Sequence, residues 1–70
     1  MKIEKYKVGD MVVFEECWED ETGNYHDETA KIVKIKDNGE LVLDWQVVNK
    51  EVIDWLNNSE FFIEDIAYKV

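Results

Sequence analysis

Carboxylates dominate the chemistry available to this chain. Between Glu15 and Glu28 stand Glu15, Glu16, Glu19, Asp20, Glu21, Asp27 and Glu28, with no lysine among them. Such a cluster could do acid–base work, hold a metal ion, or present a ridge of negative charge to a basic partner. Acid–base catalysis needs a carboxyl group set apart from its neighbours by environment. In a chain this acidic, carboxylate pairs arise by chance and single out no such group. Calcium is tested by spacing. Asp20, Thr22 and Asn24 fall at positions one, three and five of a calcium loop, but Tyr25 stands where the loop requires glycine and Lys31 where it requires glutamate. A transition metal needs several soft or imidazole ligands, and His26 and Cys17 are each the only residue of their type. One serine, one histidine and no glycine-rich phosphate loop leave no nucleophilic constellation. No catalytic, cofactor-binding or metal-binding residue is assigned, and a non-enzyme is expected.

Charge narrows the partners. Seventeen acids oppose eight lysines without one arginine, a formal charge of −9. Such a surface repels phosphate backbones and lacks the bidentate reader of guanine and phosphate, so direct nucleic-acid binding is not expected. Two readings of different kinds remain. In the first, a small module presents Trp18 and Tyr25, with Trp55 alongside, to a partner protein, since aromatics anchor interfaces. In the second, the acidic run mimics phosphates and occupies the basic cleft of a nucleic-acid-handling protein. The candidate protein-binding residues are therefore Trp18, Glu19, Asp20, Glu21, Tyr25, Asp27 and Glu28. The plain alternatives are a solvated acidic loop and core packing for Trp18. A thiolate at Cys17 is disfavoured by the surrounding carboxylates, and a packed, inert cysteine is expected.

Seventy residues make one domain, residues 1–70, able to bury roughly 60% of its unfolded surface. One cysteine excludes an internal disulfide framework and suits a reducing compartment. No apolar run reaches membrane-spanning length, and Met1–Glu4 lacks the apolar core of a signal peptide, so a soluble, cytoplasmic protein is expected.

The positioning elements are legible in outline. Ala30–Trp45 reads as a β-hairpin around Asp37-Asn38-Gly39. A two-residue loop would oppose Lys34 to Leu43 and mix charge with the apolar face. A three-residue loop, with Gly39 left-handed, pairs Ile35 with Leu41, Val33 with Leu43, and Lys36 with Glu40. Trp45 then points inward. Met11–Phe14 reads as a strand buried on both sides, continuing through Trp18. Glu19–Thr29 is a hairpin tip or a loop. Asn49 is a helix N-cap, with Val52, Ile53, Trp55 and Leu56 on one face and Asn57-Asn58 at the end, against the competing strand EVIDWL. A strand at Glu60–Ile63, a turn at Glu64-Asp65 and a strand at Ile66–Val70 complete the chain. Met1–Lys7 is too short and too charged for an element of its own.

Val8-Gly9-Asp10-Met11-Val12, AKIVKI from Ala30, the DNG turn with ELVLDW, and IEDIAYKV from Ile63 together resemble SH3-like small β-barrels. The likeness is greatest to the KOW- and Tudor-type barrels of small bacterial and phage proteins. The resemblance implies a mainly β, five-stranded barrel with a short helical insertion near residues 49–57, and one helical turn at Glu64-Asp65-Ile66. Ala30 stands where such barrels often carry glycine. The basic residues of nucleic-acid-binding KOW domains and the ALYDY signature of proline-peptide binders are absent. The resemblance thus implies a fold and no particular ligand.

Overall fold

The computed structural model describes residues 5–70, so the readings of Met1–Glu4 lie outside the described residues. The fold is mainly β. Strands β1 (Met11–Glu19), β2 (Tyr25–Ile35) and β3 (Leu41–Trp45) run in succession, followed by helix α1 (Lys50–Asn57), a 3-10 turn (Ile63–Asp65) and β4 (Tyr68–Lys69). They form one antiparallel sheet in the order β3-β2-β1-β4.

The central hairpin closes through Gly39, whose φ of 89° needs a residue without a Cβ penalty. Lys36 N–H donates to the Glu40 carbonyl at 2.8 Å, and the Lys36 ammonium lies 3.5 Å from the Glu40 carboxylate. Ile35 faces Leu41 as expected. Beyond that pair the register departs from expectation: Leu43 opposes Ile32, and Val33 is the extra residue of a bulge, 52% exposed. The cause is a phase conflict in β2. Ala30 and Ile32 occupy inward positions, whereas Ile35 is odd-numbered, and one inserted residue lets it turn toward the same core.

Apolar burial gathers on one face of the sheet. Val12, Phe14, Ala30, Ile32, Leu41 and Trp45 meet Tyr6, Ile66 and the helix residues Val52 and Leu56. Phe14, Trp45 and Phe61 form an aromatic triangle with ring centroids 5.1–5.3 Å apart. The VGD turn is tied down by buried Asp10, which accepts from Lys7 N–H at 3.0 Å and lies 3.5 Å from the Lys69 ammonium.

Asn49 caps α1, its side-chain oxygen accepting from Glu51 N–H at 2.9 Å and Val52 N–H at 3.4 Å. A helix of eight residues is marginal alone and holds by burying Val52 and Leu56. Trp55, expected on that face, lies instead on its outer flank, 58% exposed, while Val52 and Leu56 take the buried positions.

The C-terminal segment differs from expectation. Residues 60–63 form a single bridge, Phe62 to Glu40, in place of a strand. Phe61 turns into the aromatic triangle, and Asp65 captures Phe62 N–H at 2.8 Å, which bends the chain into the 3-10 turn. The last strand shortens to Tyr68–Lys69. Among the described residues the sheet has four strands and is open, in place of the expected five-stranded closed barrel.

Candidate interaction site

β1 and β2 outrun their neighbours. β4 pairs only with Val12 and Val13, and β3 pairs only from Ala30 onward, so Phe14–Glu19 and Tyr25–Thr29 pair mainly with each other. The molecule is accordingly elongated, 46 × 20 × 17 Å. The acidic run lies on this two-stranded ribbon, settling the loop-or-hairpin alternative in favour of the hairpin.

The ribbon's carboxylates fall into two groups. Asp27, Glu28 and Asp20 are engaged internally. A bulge between Phe14 and Trp18 sets Glu16 at φ 49°, and its N–H donates to Asp27 Oδ1 at 2.8 Å. Trp18 Nε1–H donates to Glu28 Oε2 at 2.8 Å, while the indole stacks on His26 with centroids 4.3 Å apart. His26 Nε2 lies 2.7 Å from Asp20 Oδ2. Asp20 Oδ1 accepts from Thr22 Oγ1 at 2.6 Å, Thr22 N–H at 2.9 Å and Asn24 N–H at 3.0 Å, which closes the turn. The Thr22 and His26 hydrogen bonds, with that from Asn24, hold the Asp20 carboxyl well below the usual carboxylate range. Asp20 is thus built as a turn residue, like the side-chain turns its residue type favours.

The second group is Glu15, Glu16, Glu19 and Glu21. Among the described residues, no hydrogen bond or ion pair engages these carboxylates. Tyr25 pairs across the ribbon with Glu19 and is 60% exposed. Cys17 is half-buried, its Sγ 3.6 Å from the His26 carbonyl. Burial, then the charges of Glu28 and Asp27, push its thiol up to about 11, in line with the inert cysteine expected.

Four of the seven candidates meet α1 across a cleft of about 290 Å³. β1 and the turn after it supply Trp18, Glu19, Asp20 and Glu21; the helix supplies Glu51, Val52 and Trp55, and its cap supplies Asn49. Asp27 and Glu28 are held within the ribbon, and Tyr25 stands on it outside this cleft. Sequence reasoning named Trp55 only as a companion and missed Asn49, Glu51 and Val52 as cleft residues. Helical periodicity places Ile53 and Trp55 equally beside Val52 and Leu56, so it does not report that Trp55 is the one left exposed. No local pattern reports that the helix settles beside the end of β1. Trp18 packs on the core's margin and also lines the cleft.

Among the described residues, no three His, Cys, Asp or Glu side chains come together to hold a metal ion, and no helix is long and apolar enough to cross a membrane. Comparison with protein-family models, curated proteins and solved structures gives no match to this chain.

Proposed function

We propose that this protein is a non-catalytic, cytoplasmic interaction module that docks a partner protein at the cleft between β1 and α1. One observation carries the reading: two tryptophans line the same concavity as Glu19, Glu21 and Glu51, three carboxylates without a hydrogen-bond or ion-pair partner among the described residues. Trp55 is the anchor, a large apolar side chain left 58% exposed on a helix whose other apolar residues are at least half-buried. The surrounding negative charge favours a basic partner and speeds its approach. On the same reading the fold is an SH3-like barrel left open, the Phe62–Glu40 bridge standing for its fifth strand and α1 for an insertion.

A second reading, the acidic mimic of nucleic acid, draws support from the row Glu15, Glu16, Glu19 and Glu21 on a projecting ribbon. Such a row could enter a cleft made for phosphates. Affinity capture with the tagged full chain tests both. A stoichiometric partner retained by the chain, and lost on Trp55→Ala, supports the cleft. A nucleic-acid-handling partner released by salt, and lost on Glu19→Lys with Glu21→Lys but indifferent to Trp55→Ala, supports the mimic. A chain that retains no partner in stoichiometric amount sinks both readings.

A further inference from the structure

We infer that the cleft between β1 and α1 is an arginine pocket, taking the guanidinium side chain of a partner protein; this rests on the cleft being the docking site. The walls and the rim ask for different properties in one side chain. Trp18 and Trp55 offer apolar surface that a long alkyl stem can cover, with buried Val52 behind them, and Glu19, Glu21 and Glu51 set negative charge around it. Among the described residues no lysine lines the cleft, so none of them neutralises that charge from within. A wholly apolar occupant would bury carboxylates against hydrocarbon, at a cost no partner offsets. A cation with an apolar stem satisfies both.

Between the two long cations the indole rings favour arginine. Its guanidinium is planar, weakly hydrated and able to stack on an aromatic face while its fork binds carboxylate oxygens; the lysine ammonium is compact and strongly hydrated. The occupant also cannot come from a second copy of this chain, which carries eight lysines and no arginine. The other wall of the cleft is built by α1 and its cap, Asn49.

The blocked peptides Gly-Arg-Gly and Gly-Lys-Gly, titrated at low ionic strength into the 15N-labelled full chain, test the assignment. The arginine peptide should move the indole N–H signals of Trp18 and Trp55 and leave that of buried Trp45. It should bind about two- to five-fold more tightly than the lysine peptide, the order of one solvent-exposed cation–π contact. Trp55→Ala should abolish that preference without changing the melt, and Glu51→Gln should weaken the arginine peptide by itself. Equal affinities, or a preference that survives Trp55→Ala, overturn the arginine pocket. If both peptides then still shift the amides of Glu19, Glu21 and Glu51, the docking site stands without its arginine. Peptides that move no cleft signal overturn both.

Discussion

Two side chains on the ribbon carry opposite pH signatures, each set by its neighbours. The Cys17 thiol is raised from 9.0 to about 11, so the folded state prefers it protonated. Its contribution to stability is complete below the unfolded value and is lost as pH rises toward 11. Melting temperature should therefore fall between these values in the native chain and less in Cys17→Ala. A thiol reagent at neutral pH should modify Cys17 slowly until denaturant is added, and fast labelling of the native chain would sink this account. Asp20 runs the other way. Its carboxyl is depressed by hydrogen bonds from Thr22 and His26, so its contribution is complete above the unfolded value, about pH 4, and is lost as pH falls through the lower folded value. Asp20→Ala should melt below the native chain by a gap that is steady at neutral pH and narrows once the pH drops below about 4. A gap that stays constant into acid would show that the turn needs the residue's shape and not its charge.

Two of the residues with left-handed backbone, Gly39 in the hairpin turn and Glu16 in the β1 bulge, should respond oppositely to substitution. At Gly39 a Cβ would meet nothing within 4 Å, so the obstacle to a side chain is conformational alone. Gly39→Val should cost more than about 1 kcal/mol, the left-handed penalty for a branched residue. Glu16, at φ 49° in the β1 bulge, already bears that strain, and Glu16→Gly should be neutral or stabilising by up to about 1 kcal/mol in urea melts. Destabilisation at Glu16→Gly would mean that the glutamate side chain supports the bulge. The first of these turns was readable from the chain, because a three-residue loop ending in glycine is a local code, and so was the Asn49 cap. The bulges were not. Val33 stands beside Ile32 between Lys31 and Lys34, and only the competing inward demands of Ile32 and Ile35 reveal that one residue must be skipped. Phe61-Phe62-Ile63 reads as strand from composition, yet Phe61 is drawn to Phe14 and Trp45, residues distant in sequence. The same limit held for the site: Trp18 through Glu21 could be picked from the sequence, whereas their meeting with Glu51 and Trp55 depends on how α1 docks.

At the scale of the whole molecule, negative charge is concentrated along a ribbon whose two strands pair mainly with each other. Crowding Glu15, Glu16, Glu19 and Glu21 without a lysine between them costs folding energy through mutual repulsion. Salt shortens the reach of that repulsion from about 30 Å at 0.01 M to about 10 Å at 0.1 M. Melting temperature should rise with sodium chloride across this range. Glu19→Lys with Glu21→Lys should raise it at low salt and flatten the dependence. A melt indifferent to salt would mean that the carboxylates are too well solvated to oppose folding. Should the double variant gain stability and lose its partner together, the repulsion is the cost of a working surface.

The overhang of β1 and β2 past β4 and β3 has a further consequence. Each overhanging strand leaves backbone N–H and C=O groups on its outer side, the template on which chains stack into fibrils. At neutral pH the guard is electrostatic: Glu15, Glu16 and Glu19 on one strand, Asp27 on the other, with the bulge at Glu16 spoiling the register an incoming strand would need. Acid removes the charges and leaves the bulge. Near pH 3, below the ordinary glutamate value of about 4.3, the protein should form thioflavin-binding fibrils that are absent at neutral pH, sooner when Glu16→Gly frees the bulge to flatten. A chain that formed no fibrils in acid would show that backbone shape alone closes these flanks to self-recruitment.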